Sequence, residues 1–204
     1  EFTDPTVVAL KHANPCGVGS ADTLFGAYER AYKADPVSIF GGIVVFNGEV
    51  DEATAVEMNK IFLEIVIAPA YSEAALSILK KKKNLRLLQL AEIMNPVTPE
   101  PYFHKKVDGG LLIQEADHHI MDDENYKVVT DKQPTEQEWA DLKLAWKVVK
   151  HAKSNAIVVV KDGAPQGVGA GQTSRIWAVD NALDRSKSST EGSVLASDAF
   201  FPFS

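Results

Sequence analysis

Residues 6–46, TVVALKHANPCGVGSADTLFGAYERAYKADPVSIFGGIVVF, hold in one stretch the alternation that decides the fold class. Thr6 to Leu10 is a short apolar run rich in β-branched residues and reads as a buried strand. Ala21 to Ala34 is amphipathic and is stopped by Asp35-Pro36, so it reads as a helix. Gly42 to Phe46 is a second strand, ended by the turn pair Asn47-Gly48. Working outward, Glu52 to Phe62 repeats the helix, Glu64 to Ala68 the strand, Ser72 to Lys83 the helix, and Leu85 to Leu90 a fourth strand. Strand and helix in strict succession predict an α/β protein with a parallel or mixed sheet covered by helices.

From Met94 to Asp131 the pattern loosens around Asn95-Pro96, Pro99-Glu100-Pro101 and Asp108-Gly109-Gly110, and a boundary is expected there. The expected units are residues 1–131 and 132–204. In the second, Thr135 and Glu138 have capping-box spacing. The helix after them sets Trp139, Leu142, Trp146 and Val149 on one face. Ala156 to Val160 is the next strand, Asp162-Gly163 turns the chain, Gly167 to Gly171 returns it, and Ser174 to about Asp184 is a further helix.

Composition excludes several classes. The chain has 204 residues, 45% of them hydrophobic, and a formal charge of -7. That is too apolar for a disordered polymer and too acidic for unspecific nucleic-acid binding. No apolar run reaches the roughly 18 to 20 residues of a membrane helix, and the first residues lack signal-peptide form. One cysteine, Cys16, forms no internal disulfide, which fits a reducing, cytoplasmic setting.

Four places can carry chemistry. Lys11-His12, directly after a strand, offers a cation beside a group that titrates near neutrality, although on composition alone a solvated surface loop is the more common outcome for such a pair. Asn155, at the foot of a strand, can hold a carbonyl or simply end the preceding helix. Gly167 to Arg175, between strand and helix, has the makings of a phosphate cradle or of a plain glycine turn. Phe200, Phe201 and Phe203 around Pro202 can stack on a heterocycle or pack in a core. Asp117-His118-His119 with Asp122-Asp123-Glu124 lacks the helical spacing of a zinc motif, and no metal site is expected. Cys16 reads as a structural thiol.

Taken in order, VVALKHANPCGVG, DPVSIFGGIVVFN, EIVIAPAYSEAALSILKKKKNLRLL, WKVVKHAKSNAIVVVKDGAPQGVGAGQTSRI and VLASDAFFPF resemble the transformylase domain of the AICAR transformylase/IMP cyclohydrolase family. The resemblance implies formyl transfer from 10-formyltetrahydrofolate to AICAR in purine biosynthesis, beside a cyclohydrolase domain. It also implies a three-layer, cytidine-deaminase-like α/β/α fold in two related units with mixed sheets, without zinc, and a homodimer with shared sites. By resemblance Lys11 and His12 are the catalytic pair and Asn155 positions the formyl carbonyl. Val37, Ile39, Phe40, Gly41, Glu64, Ser174 and Arg175 line the ligand site. Phe200, Pro202 and Phe203 form a folate-side wall, and Ser154 and Asp198 fall near a potassium site of some members. No nucleic acid or membrane partner is implied.

The family's Arg-Tyr-Gly-Glu-Asn-Pro-His stretch, its cyclohydrolase domain and its C-terminal segment have no counterpart in these residues, as expected of a fragment. A competing reading is a catalytically silent nucleotide-binding module on the same fold, and another is a deaminase-like zinc hydrolase. The isolated 204-residue chain is expected to bind AICAR poorly and to turn over little in a folate-absorbance assay. Robust turnover would refute this.

Overall fold

The computed structural model describes residues 1–95, 100–121, 126–186 and 190–201. A five-stranded sheet is built from β1 (Thr6–Lys11), β2 (Asn14–Ser20), β3 (Ile43–Phe46), β4 (Ile65–Ala68) and β5 (Arg86–Gln89), in the order β2-β1-β3-β4-β5. It is mixed: β1 runs antiparallel to both β2 and β3, while β3, β4 and β5 are parallel. The carboxyl end of β1 therefore meets the amino ends of β3 and β4. The docking rule for the carboxyl ends of parallel strands does not describe this edge.

Three helices serve this sheet: α1 (Leu24–Ala34), α2 (Glu52–Met58) and α3 (Glu73–Leu79). Each starts at a side chain that accepts a free backbone N–H: Thr23 from Gly26, Asp51 from Thr54 and Ser72 from Ala75. Such caps satisfy donors that the helix itself leaves unpaired. They also explain why α1 begins after Ala21, at the residue following its cap. Lys80 is the C-cap of α3, so the run Lys80 to Lys83 lies beyond the helix that the sequence extended to Lys83.

An exposed ribbon of β6 (Tyr102–Val107) and β7 (Gly110–Glu115) follows. Then come α4 (Glu136–Lys150), β8 (Ile157–Lys161), β9 (Ala164–Gly169), α5 (Arg175–Arg185) and β10 (Val194–Ser197), the strands forming a sheet in the order β10-β8-β9.

The second sheet repeats the first. Lys11 pairs with Asn14 and Leu10 with Pro15, just as Lys161 pairs with Ala164 and Val160 with Pro165. The register shifts between Ala9 and Leu10, and again between Val159 and Val160. Beyond each central strand lies an antiparallel neighbour, β3 or β10. Sequence alone did not resolve β2 and β9 as strands, because Asn-Pro-Cys-Gly and Ala-Pro-Gln-Gly lack the β-branched residues that mark one.

Glycine is what those strands need instead. A Cβ at Gly17 would stand 2.1 Å from the Ala31 carbonyl oxygen of α1, and one at Gly19 2.3 Å from that of Ala27. In the second unit the distances are 1.9 Å from Gly167 to Ala182 and 2.0 Å from Gly169 to Ala178. The helix backbone thus lies directly on the strand, and these glycines serve helix packing rather than the approach of a ligand.

α1, α2 and α3 cover one face of the first sheet over Val7, Ala9, Val44 and Val66. α4 covers the other side at the seam between the sheets, where Val18 and Val8 share a core with Val148, Val158 and Val160. α5 packs on Ile157 and Val159, the opposite face of β8. Three layers are therefore present at the seam. The buried face of α4 is Asp141, Leu144, Ala145, Val148 and Val149, with Trp146 exposed. The expected stripe of tryptophans is displaced because Asp141, though charged, belongs inside. Its carboxylate accepts from the Asp162 and Gly163 amides, 3.1 and 2.8 Å away, and so closes the β8–β9 turn.

Gly17→Ala should lower stability by about 3 kcal/mol or more, since backbone must move to admit one methyl. Gly110→Ala, with nothing within 4 Å of the added atom, should change it by less than about 1 kcal/mol. Urea unfolding midpoints check both.

Candidate active site

His12 and Ala13 join β1 to β2 with φ of 50° and 65°, the left-handed pair of a type I′ turn. The equivalent turn in the second unit uses Asp162 and Gly163, φ 52° and 74°, the residue types such a turn favours. Holding a residue with a Cβ in this region costs roughly 1 to 2 kcal/mol. His12 is exposed, so no packing explains its place. The hairpin demands φ above zero at both central positions, as Asp162 shows in the second unit, so what sets the first turn apart is its exposed imidazole.

Lys11 lies at the strand end beside it. Its ammonium donates to the carbonyls of Phe40 at 2.8 Å and Gly41 at 2.9 Å, leaving one of its three protons. Lys161, its counterpart, donates in the same way to the Glu191 carbonyl at 2.9 Å. A lysine at this register thus ties the hairpin to the loop feeding the neighbouring strand in both units. His12 has no counterpart of its chemistry.

The loop before β3 places its residues unequally. Val37 and Phe40 are exposed, and Phe40 meets Phe62 with ring centroids 5.7 Å apart. Gly41 adopts φ 63° and its amide bonds the Phe62 carbonyl at 2.8 Å. Ile39 is fully buried in the first core, so its side chain cannot meet a ligand and only its backbone remains for that role. Glu64, exposed at the start of β4, donates its amide to Gly42 at 3.0 Å and so stands on the same sheet edge.

Between the two hairpins opens a cleft of about 580 Å³ lined by Lys11, His12, Cys16, Val37, Gln166 and Arg185, among others. Burial, with a smaller push from Asp35, raises the Cys16 thiol to about 11 against the pull of Lys11. It stays protonated at neutral pH and donates to the Ala9 carbonyl, as a structural thiol does.

Asn155 belongs to a second cluster. α4 ends at Lys150 with His151 as its cap, so Asn155 does not end that helix. It follows a cis peptide from Ser154. Its Nδ2 donates to the Gln172 carbonyl at 2.9 Å and its Oδ1 accepts from Arg175 at 2.8 Å. Those two bonds fix which way the amide faces and leave one Nδ2 proton.

Arg175 is buried. Its guanidinium is paired with Asp198 and donates to the Ala156 carbonyl at 3.2 Å, so its charge is matched within the protein, while its Nε–H has no partner among the described residues. Ser174 opens α5 without a side-chain cap bond. Burial pushes the Asp198 carboxyl up, but hydrogen bonds from Ser154, the Ala156 amide and Arg175, with the guanidinium charge, hold it below the usual range. A carboxylate already matched by a guanidinium does not fit a potassium site, and no chemistry is assigned to such an ion.

The structure thus brings Lys11, Phe40 and Gly41 into contact, and His12 and Val37 to the cleft. Asn155, Arg175 and Asp198 form the neighbouring cluster. The clusters meet where the Lys153 amide donates to Asn14 Oδ1 at 3.0 Å. Phe200 is exposed; Pro202 and Phe203 lie outside the described residues, as do Asp122, Asp123 and Glu124. Sequence reasoning missed Asn14, whose only signal is that Ala164 stands at its register in the other hairpin. It also missed Asp141, which no hydrophobic template selects. Among the described residues no three His, Cys, Asp or Glu side chains gather as a metal group, and no helix is long and apolar enough to cross a membrane.

A duplicated hairpin–helix α/β framework, with a cleft between its copies, defines a domain suited to binding a small molecule. The chain belongs to the AICARFT/IMPCHase bienzyme family, which matches residues 1–185. It is 59% identical over 203 residues to the bifunctional purine biosynthesis protein PurH of Thermoanaerobacter sp. (strain X514). It is 58% identical over 204 residues to that of Caldicellulosiruptor saccharolyticus and 54% over 202 residues to that of Bacillus cereus (strain B4264). These matches cover 99–100% of the chain and 39% of each relative's length.

Because Asp198 titrates below its unfolded range, its contribution is complete above about pH 4 and is lost as pH falls through the folded value. Asp198→Asn should cost about 2 kcal/mol at pH 7, and its deficit against the native chain should shrink below pH 4. Denaturant midpoints measured from pH 7 to pH 3 check the sign.

Proposed function

We propose that this chain carries the formyl-transfer chemistry of a purine-biosynthesis bienzyme, moving the formyl group of 10-formyltetrahydrofolate to the 5-amino group of AICAR. The observation that carries the reading is His12, exposed in a left-handed turn above the cleft. The aminoimidazole amine is a weak nucleophile, because its lone pair is delocalised into the ring and carboxamide. His12 accepts its proton as the nitrogen attacks the formyl carbon. Negative charge then grows on the formyl oxygen. The remaining Nδ2 proton of Asn155 and the third proton of Lys11 are the donors that stabilise it. Breaking the bond from the formyl carbon to folate N10 completes the transfer, and the proton taken from the amine goes to that nitrogen.

Arg175 supports this chemistry by holding the Asn155 amide through Oδ1. On this reading, and by the resemblance alone, Val37, Phe40, Gly41, Glu64 and Ser174 line the nucleotide site and Phe200, Pro202 and Phe203 the folate side. The repeated hairpins support a cytidine-deaminase-like fold in two related units, residues 1–131 and 132–204. The reading also implies a homodimer and a cytoplasmic setting, and it needs the remainder of a PurH-length polypeptide.

In a polypeptide of that length, His12→Ala and Asn155→Ala should each lower kcat by about 10²-fold or more. Folate absorbance follows the reaction. Unchanged rates in both variants would favour the silent nucleotide-binding module.

A further inference from the structure

Asn14 opens β2 at a register where the second hairpin has Ala164. Since the same strand geometry forms there without a polar side chain, the hairpin does not require asparagine. What Asn14 adds is a bridge. Its Oδ1 accepts from the Lys153 amide at 3.0 Å, across 139 positions of sequence, and its Nδ2 donates to the His12 carbonyl at 3.4 Å. One amide thus touches the turn bearing His12 and the segment bearing Asn155.

That segment is tethered on its other side by the second unit. The Gly171 amide donates to the Lys153 carbonyl at 2.6 Å, and Asn155 and Gln172 exchange backbone bonds of 3.1 and 3.3 Å. Asn14 supplies the corresponding tie to the first unit. Lys11 holds the turn to the Phe40–Gly41 loop, but that bond says nothing about the distance from the turn to Asn155.

We propose that Asn14 is a positioning residue that docks the Lys11–His12 turn onto the Lys153–Asn155 segment and so fixes the span between base and carbonyl donor. The inference rests on the formyl-transfer reading. Magnitudes separate this role from a structural one. A single neutral hydrogen bond at a half-exposed site does little for stability, whereas a shift of about 1 Å between reacting groups can cost 10²-fold in rate.

The test uses a polypeptide of PurH length carrying Asn14→Ala or Asn14→Asp. Formyl transfer is followed by folate absorbance, and Lys153 amide exchange by NMR or mass spectrometry. Asn14→Ala should speed Lys153 exchange about fivefold and lower kcat about tenfold or more, with KM for AICAR changed less than threefold. Asn14→Asp keeps the acceptor for the Lys153 amide but loses the donor to the His12 carbonyl, so it should restore slow exchange and only part of kcat. An active native enzyme whose kcat is unmoved by Asn14→Ala would overturn the proposal. So would equal losses in the two variants. A native enzyme without formyl transfer would overturn both the formyl-transfer reading and this catalytic role, while unaltered Lys153 exchange in Asn14→Ala would overturn the docking contact by itself.

Discussion

The contact on which this molecule depends is backbone against backbone. α1 lies on β2, and α5 on β9, so closely that no side chain fits between them at Gly17, Gly19, Gly167 or Gly169. A helix seated that near its strand has little freedom to slide, because glycine makes the approach possible and close packing punishes any added atom. The hairpins inherit this rigidity. Each turn then projects from a fixed platform, and the loop feeding the neighbouring strand is caught by a lysine in both units.

On that shared platform the units diverge in their polar groups. The second turn is an ordinary Asp-Gly pair, closed from inside by the buried carboxylate of Asp141. The first places an exposed imidazole where the second has Asp162. Around Asn155 the priorities change again. Arg175 and Asp198 neutralise one another and hold the amide's orientation, so a residue with two interchangeable-looking ends presents a defined one. Burying such an ion pair is seldom the most stabilising solution, and its value is more often geometric.

Much of this was legible in the chain before any coordinates. The alternation of β1, α1, β3, α2, β4, α3 and β5 follows from hydrophobic period, because buried strands and amphipathic helices differ in spacing. Helix limits were less legible, since Thr23, Asp51 and Ser72 act through single hydrogen bonds that a periodic template does not see. β2 and β9 were hidden because their glycines answer to a helix overhead. At the site, Lys11-His12 stood out as residue types, but its left-handed turn did not. Arg175 looked like a free cation, and only Asp198, a strand away, shows that its charge is matched. Ile39 was grouped with a ligand loop by resemblance, whereas its side chain is core. Asn155 owed its assignment to the resemblance, for its position alone left a carbonyl holder and a helix end both open.

The register shared by the two hairpins has a practical meaning for anyone studying this domain. The polypeptide contains a second copy of the histidine-bearing turn without the histidine, with the same register shift, a lysine at the same position and a helix above it. Spectroscopic change common to both turns reports on the scaffold. Change confined to the histidine-bearing one reports on events at the cleft, so the molecule supplies its own internal reference.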